Sequence, residues 1–342
     1  MAKKQKEPIN CRLGTVGGSA VMEGVMMKNK DRYAVSVRCP EGDIKTTLGR
    51  VSSVRTKYKI LNIPIVRGVV NMVETMSLSF KTLAQSAEAL GIDEEAEETK
   101  FEKWLREKFG KSILNFVMAI SGVLGVLLAF ALFFFLPAFL TKLLDGAVGG
   151  LGWFKNLIEG LIKIGIFLAY IWLVAFMPDI KRTFEYHGAE HKSIFCYEAG
   201  EELTPENAAK YKRFHPRCGT SFLFVILAIS ILINSLPFVP WDNMLLRVVI
   251  KLALLPLVVG LGFEFLMYAG KHDNLLIRIL SAPGLWIQRI TTREPDLKQL
   301  EVAITSLKAS MPDVFPPEAP VVEAQEESMA DENVEAEEGS AE

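Results

Sequence analysis

Four apolar stretches dominate the pattern of the chain, at residues 113–136, 157–177, 221–239 and 252–270. The first is uncharged and long enough to cross a hydrocarbon core of about 30 Å. The second carries Glu159 and Lys163 one turn apart near one end, where they can pair and snorkel. The third is interrupted near its far end by Asn234, Ser235 and Pro237, and the fourth contains Glu264. This pattern predicts about four membrane-spanning helices.

Outside these stretches the periodicity changes. Residues 33–38 alternate apolar and polar, 40–43 read as a turn, and 44–48 read as a return strand. Before them lies GTVGGSAVMEGVMM, residues 14–27, which matches neither a phosphate-binding loop nor a dinucleotide fingerprint. Tight turns and close packing are the expectation there. Over 65–90 an apolar stripe of Val66, Val69, Val70, Val73 and Met76 recurs at helical spacing. Arg67, Glu74 and Lys81 interrupt it, so an amphipathic helix fits and a span does not. Residues 93–111 are densely charged. Residues 275–290, around Pro283-Gly284 and Trp286, read as an interfacial segment, and 296–309 as a short soluble helix. From about 312 the chain is rich in proline and acid, a composition that favours disorder.

The expected fold is therefore a mainly α membrane protein with a small β-containing N-terminal cytosolic element and interfacial helices. Its parts are a disordered lead (1–10), an N-terminal cytosolic region with a hairpin and amphipathic helix (11–111), and a four-span domain (112–272). A cytosolic His/Cys loop (178–220) lies inside that domain. Interfacial and soluble helices (273–311) and an acidic tail (312–342) follow.

Composition agrees: half of the 342 residues are apolar. The net charge of −2 argues against a general nucleic-acid binder, because phosphate binding needs a cationic surface. The four cysteines, Cys11, Cys39, Cys196 and Cys218, show no secretory spacing. No apolar run follows the N-terminal lysines, so the first span is expected to act as its own signal. Lysine and arginine crowd the segment before the first span, the 178–220 loop and the region after the fourth span. The intervening turns are nearly free of them, so both termini and the middle loop are expected on the cytosolic side of the cell membrane. The expected partners are the bilayer and other membrane proteins, with self-association left open.

That topology gathers His187, His191, His215, Cys196, Cys218 and His272 on one side. HGAEH, residues 187–191, puts two imidazoles at i and i+4 on one helical face, able to grip one ion. Glu190 shares that side, as a general base or proton shuttle requires, and the order follows H-x-x-E-H. Gly188 weighs against a helix. HPRCGTS, residues 215–221, suggests a turn bringing His215 and Cys218 to one point, and both are zinc-type ligands. The structural alternative is a turn that caps the third span. Glu264, about two turns before His272, suits a supporting carboxylate for the metal; pairing with Arg67 is the alternative. Four histidines are too few for the di-iron centre of membrane desaturases, so a single divalent ion, zinc-like, is expected.

Together, GGSAVMEGVMM, EYHGAEHKSIFCYEAG, HPRCGTSF and APGLWIQRITTREPD resemble the YqhQ-like family of bacterial membrane proteins. The likeness spans roughly residues 10–310. The family has no assigned reaction; its members are often labelled metal-dependent enzymes. The resemblance marks His187, Glu190, His191, His215 and Cys218 as motif positions. Three functions remain open at this point: a metal-dependent hydrolase at the membrane interface, a non-enzymatic assembly or translation-linked insertion factor with a structural polar or metal cluster, and a transporter, for which four spans are few and Glu264 alone is intramembrane.

Overall fold

A computed structural model describes residues 12, 14–91, 112–236, 243–269, 275–316 and 322–323. The expected lead, the whole of the charged 93–111 segment, His272 and most of the acidic tail lie outside these residues.

The N-terminal element is a sheet of β1 (Val16–Val21), β2 (Gly24–Asn29), β3 (Arg32–Arg38) and β4 (Ile44–Arg50), antiparallel and in sequence order. A short β5 (Val322–Glu323) adds in parallel on β4. The expected strands at 33–38 and 44–48 are β3 and β4. The glycine-rich run, expected as turns, instead forms the first hairpin, with Glu23 in the left-handed region at φ 48°. Glycine serves close approach there: a Cβ on Gly18 would lie 2.6 Å from the Met26 carbonyl oxygen.

Alternation along the strands loads both faces of the sheet. Val25 and Met27 face one hydrophobic cluster, while Met26, Val35 and Val37 face another. The first face is covered by α6 (Pro178–Glu198) and α11 (Leu297–Ala309), through Tyr186, Ala189, Leu300 and Leu307. The second is covered by α2 (Val66–Ala89), through Leu78. The helix expected at 296–309 is thus part of a packed domain. Asp296 starts it in a capping box with Gln299, and Ser306 Oγ donates to the Ala34 carbonyl at 2.9 Å. Beyond 312, Phe315 packs on the same core and Asp313 meets Arg32 at 3.3 Å, so the start of the acidic segment is tied down.

Among the described residues, three helices are long and apolar enough to cross a membrane: Ile120–Val148, Gly152–Val174 and Leu246–Ala269. Their outward side chains are apolar; Val126 is 71% exposed and Leu128 69%. The first runs further than the sequence pattern implied. Helix α3 (Ser112–Phe130) continues through a π turn (Ala131–Phe135) into α4 (Leu136–Val148). Pro137 explains the π turn, because its ring would press on the carbonyl four residues back and a wider turn relieves that clash. Helix α5 (Lys155–Val174) is the second and α9 (Met244–Ala269) the third. The stretch expected as the third of four spans contributes α8 (Gly219–Asn234), whose apolar part, Leu223–Asn234, is shorter.

Two further differences bear on the site. The loop expected at 178–220 begins as the 21-residue helix α6, followed by the short α7 (Pro205–Ala209). The segment expected at 275–290 is a single helix, α10 (Leu275–Thr291), with Pro283 inside it.

Candidate metal centre

Gly188 permits the helix that it was expected to oppose. A Cβ at this position would collide with the carbonyl oxygen of Arg293, so glycine lets α6 press against the chain leaving α10. Arg293 N–H donates to the Phe184 carbonyl at 2.8 Å and locks the same contact. His187 and His191 consequently share one face of a buried helix, their rings 4.5 Å apart.

Each imidazole is oriented by a backbone carbonyl. His187 Nδ1–H donates to Thr291 O at 2.9 Å, and His191 Nδ1–H donates to Arg213 O at 2.5 Å. Thr291 ends α10, so its carbonyl has no helical partner downstream and carries the negative end of the helix dipole. A proton held on Nδ1 leaves the Nε2 lone pair outward, which is how ligating histidines are commonly held.

Cys218 completes the group. Its N–H bonds back to the His215 carbonyl at 3.3 Å, closing the turn expected from HPRCGTS. The turn places Sγ 3.2 Å from His187 Nε2, and one ligand atom from each of His187, His191 and Cys218 lies within 4.8 Å of the others. Around a tetrahedral zinc, bonds of about 2.0 Å to nitrogen and about 2.3 Å to sulfur set ligand atoms about 3.3–3.5 Å apart. His191 is 1% exposed and its Nε2 has no hydrogen-bond partner among the described residues. Burial holds its pKa below the usual imidazole range, which keeps it in the neutral form a metal needs. Two nitrogens, one sulfur and the unpartnered His191 Nε2 make a zinc-type donor set; the His187–Cys218 pair already has zinc spacing, and the spread of up to 4.8 Å would have to close around an ion.

His215 and Glu264 sit outside this group. His215 is one step outside the triad: its ring packs on Phe195 at 4.5 Å, and its Nε2 lies 3.8 Å from Glu198 Oε2. The cause is Gln288 on α10, which grips both the N–H and the carbonyl of His215 at 2.8 Å. Glu198 also accepts from Gly14 N–H at 2.9 Å and pairs with Arg217. Burial alone would raise its pKa, but the nearby His215 ring, the Gly14 hydrogen bond and the charge of Arg217 bring it below the ordinary value.

Glu264 pairs with Arg67, accepting from Nε at 2.7 Å and from Nη2 at 2.5 Å. It also takes Ile65 N–H at 3.3 Å, which fastens the start of α2 to α9. His272, expected in support of the metal, lies outside the described residues.

Glu190 is buried on α6 against β1, where it accepts from the Gly18 N–H. Its second oxygen has no hydrogen-bond partner among the described residues. Burial pushes its pKa up to about 7, opposed by the nearby His187 and the Gly18 hydrogen bond. A carboxyl poised near neutrality can both take and give a proton.

The residues that orient the ligands were not anticipated: Arg213 and Thr291 act through carbonyls, Gln288 through its amide, and Arg293 and Gly18 through close backbone approach. Backbone roles leave little trace in residue type. The one available signal was the APGLWIQRITTREPD block, which contains Gln288, Thr291 and Arg293.

Residues 63–313 match a protein family described as a protein of unknown function, DUF1385. The chain is 37% identical over 292 residues to a Bacillus subtilis (strain 168) protein named "Uncharacterized protein YqhQ", covering 85% of this chain and 90% of that one. No solved structure matches it.

Proposed function

The chain belongs to the DUF1385 family, and from that premise we propose that it is a four-span protein of the cell membrane carrying a mononuclear zinc-type centre on its cytosolic side. His187, His191 and Cys218 hold the ion. The observation that carries this reading is the convergence of two carbonyl-oriented imidazoles and one thiol, with the His191 lone pair buried and unpartnered. Three ligands are found among the described residues, and a centre held by three would leave a coordination position for water or substrate, the pattern of catalytic zinc sites. The reading extends to hydrolysis at the membrane interface.

A zinc-type ion with an open position supplies Lewis acidity toward a carbonyl or phosphoryl oxygen. The chain's own residues do the rest. Glu190 accepts a proton from the attacking water and returns it to the leaving group, a task that suits a carboxyl with a pKa of about 7. His215 and Glu198, locked by Gln288 and Arg217, hold the turn that carries Cys218. Metal analysis of the purified chain tests the reading: near-stoichiometric zinc is expected, lost in His187→Ala/His191→Ala.

A second reading, a non-enzymatic assembly or insertion factor, is favoured by one observation. The triad and its carbonyl partners join α6, the 213–218 segment and the end of α10, as a structural staple would. Glu190→Gln separates the two readings, because it abolishes hydrolysis but leaves a staple intact.

A further inference from the structure

Next to the metal centre a cleft of about 510 Å³ opens between the end of α5, the start of α6 and the end of α10. Its walls include Trp172, Phe176, Lys181, Arg213, Arg289 and Arg293. Trp172 and Phe176 close the apolar helix α5 and pack edge to face at 4.8 Å, with 54% and 64% of their surfaces exposed. Aromatic side chains at the end of an apolar helix of spanning length mark the headgroup level of a bilayer. The mouth of the cleft therefore lies where lipid headgroups lie.

Its charge is unbalanced. Four cations face two carboxylates, Glu185 and Glu294. Glu294 is already shared by Lys192 and Arg213, and Glu185 takes the amide of Gln299 at 3.1 Å. The Nε atoms of Arg213 and Arg293 are buried and have no hydrogen-bond partner among the described residues. Buried guanidinium donors without acceptors are rare, and both arginines that carry them line this cleft, where charged guanidinium groups suit an anionic acceptor. Arg293 is held in place by its Nη2 bond to the Ala175 carbonyl at 3.0 Å, while Lys181 and Arg289 are exposed at the rim. Planar guanidinium groups match phosphate oxygens, and basic residues at a bilayer surface favour anionic lipid.

We propose that this cleft binds the phosphate of an anionic phospholipid headgroup, with Arg213 and Arg293 as inner donors and Lys181 and Arg289 at the rim. The exposed Trp172 and Phe176 would lie against the lipid's glycerol and upper acyl region, a contact that a free phosphate cannot make. The site stands on the cleft alone and does not require metal in the neighbouring centre.

The test uses the full chain purified in detergent and reads thermal stabilisation against added dihexanoyl phosphatidylglycerol, dihexanoyl phosphatidylcholine and inorganic phosphate. Phosphatidylglycerol is expected to stabilise the protein, and the other two to have little effect. In Lys181→Gln/Arg289→Gln the apparent affinity for phosphatidylglycerol should fall roughly tenfold or more, at about fivefold per cation, and each single variant should fall between. Lys45→Gln, on the sheet and away from the cleft, should bind as the parent does. Both rim residues are exposed, so an unchanged melting temperature without lipid confirms that the variants fold. Equal stabilisation by phosphatidylcholine, or undiminished binding by the double variant, overturns the proposal. Inorganic phosphate acting as strongly as the lipid assigns the cleft to a soluble phosphate and overturns it as well.

Discussion

The α-carbon of Gly188 rests against the carbonyl oxygen of Arg293, leaving no room for a methyl group between α6 and the end of α10. Helix propensity alone would make alanine better here by about 1 kcal/mol. The collision outweighs that gain, since forcing an extra carbon into a tight interface costs about 1–3 kcal/mol. Gly188→Ala should therefore lower the melting temperature, and weaken metal retention because the same interface sets the His187–Thr291 bond. Thermal unfolding and metal content of that variant check both effects.

Glu190→Gln keeps the acceptor that Gly18 N–H uses and removes only the titrating charge. Folding and zinc content should stay within about 1 kcal/mol and near parent stoichiometry. Any hydrolysis should fall by about 10²–10⁴, the usual contribution of general acid–base catalysis. Loss of folding with no change in turnover per folded molecule would assign Glu190 to structure.

Glu159 is the counter-charge of Arg247 and Lys251 between α5 and α9, and all three side chains are buried. Removing one member of a buried ionic group costs about 3–5 kcal/mol, because the remaining charges lose their partner. Glu159→Ala should destabilise by that order, and adding Lys251→Met should restore part of it. A double-mutant cycle on detergent-solubilised protein measures the coupling.

Cys196 offers a pH test away from the centre. Burial raises its thiol from 9.0 to about 11, helped by the charge of Glu201. An acid raised in the folded state keeps its proton while the unfolded chain loses its own. Stability should then fall as pH rises from about 9 to about 11, and be unaffected by this group below that window. Alkylation of Cys196 in the folded protein should stay slow until pH approaches 11, which mass spectrometry of the labelled chain can follow.

Much of this was legible in the sequence because it follows from periodicity. The stripe from Val66 to Met76 gave α2, the alternation over 33–38 gave β3, and i,i+4 spacing set His187 above His191. Tertiary contacts were hidden. Whether Cys218 or His215 joined the histidines depended on Gln288, some seventy positions away, gripping the backbone of His215. Gly188 read as a helix breaker because the Arg293 carbonyl that requires it belongs to another segment. The glycines before Met26 suggested turns, whereas they admit strand backbone and the Glu190 carboxyl at close range. The first apolar run read as ending at 136, yet a π turn carries the helix on to Val148.

His187, His191 and Cys218 are proposed to hold one divalent ion. Elemental analysis of the full chain, purified in detergent without chelator, tests it most directly when run beside His187→Ala/His191→Ala and Cys218→Ala. Close to one zinc per chain is expected in the parent, none in the double histidine variant, and at least a tenfold loss of affinity in the cysteine variant. A parent that folds with no bound metal and takes up none when zinc is supplied would contradict it, as would variants that retain the parent's full complement.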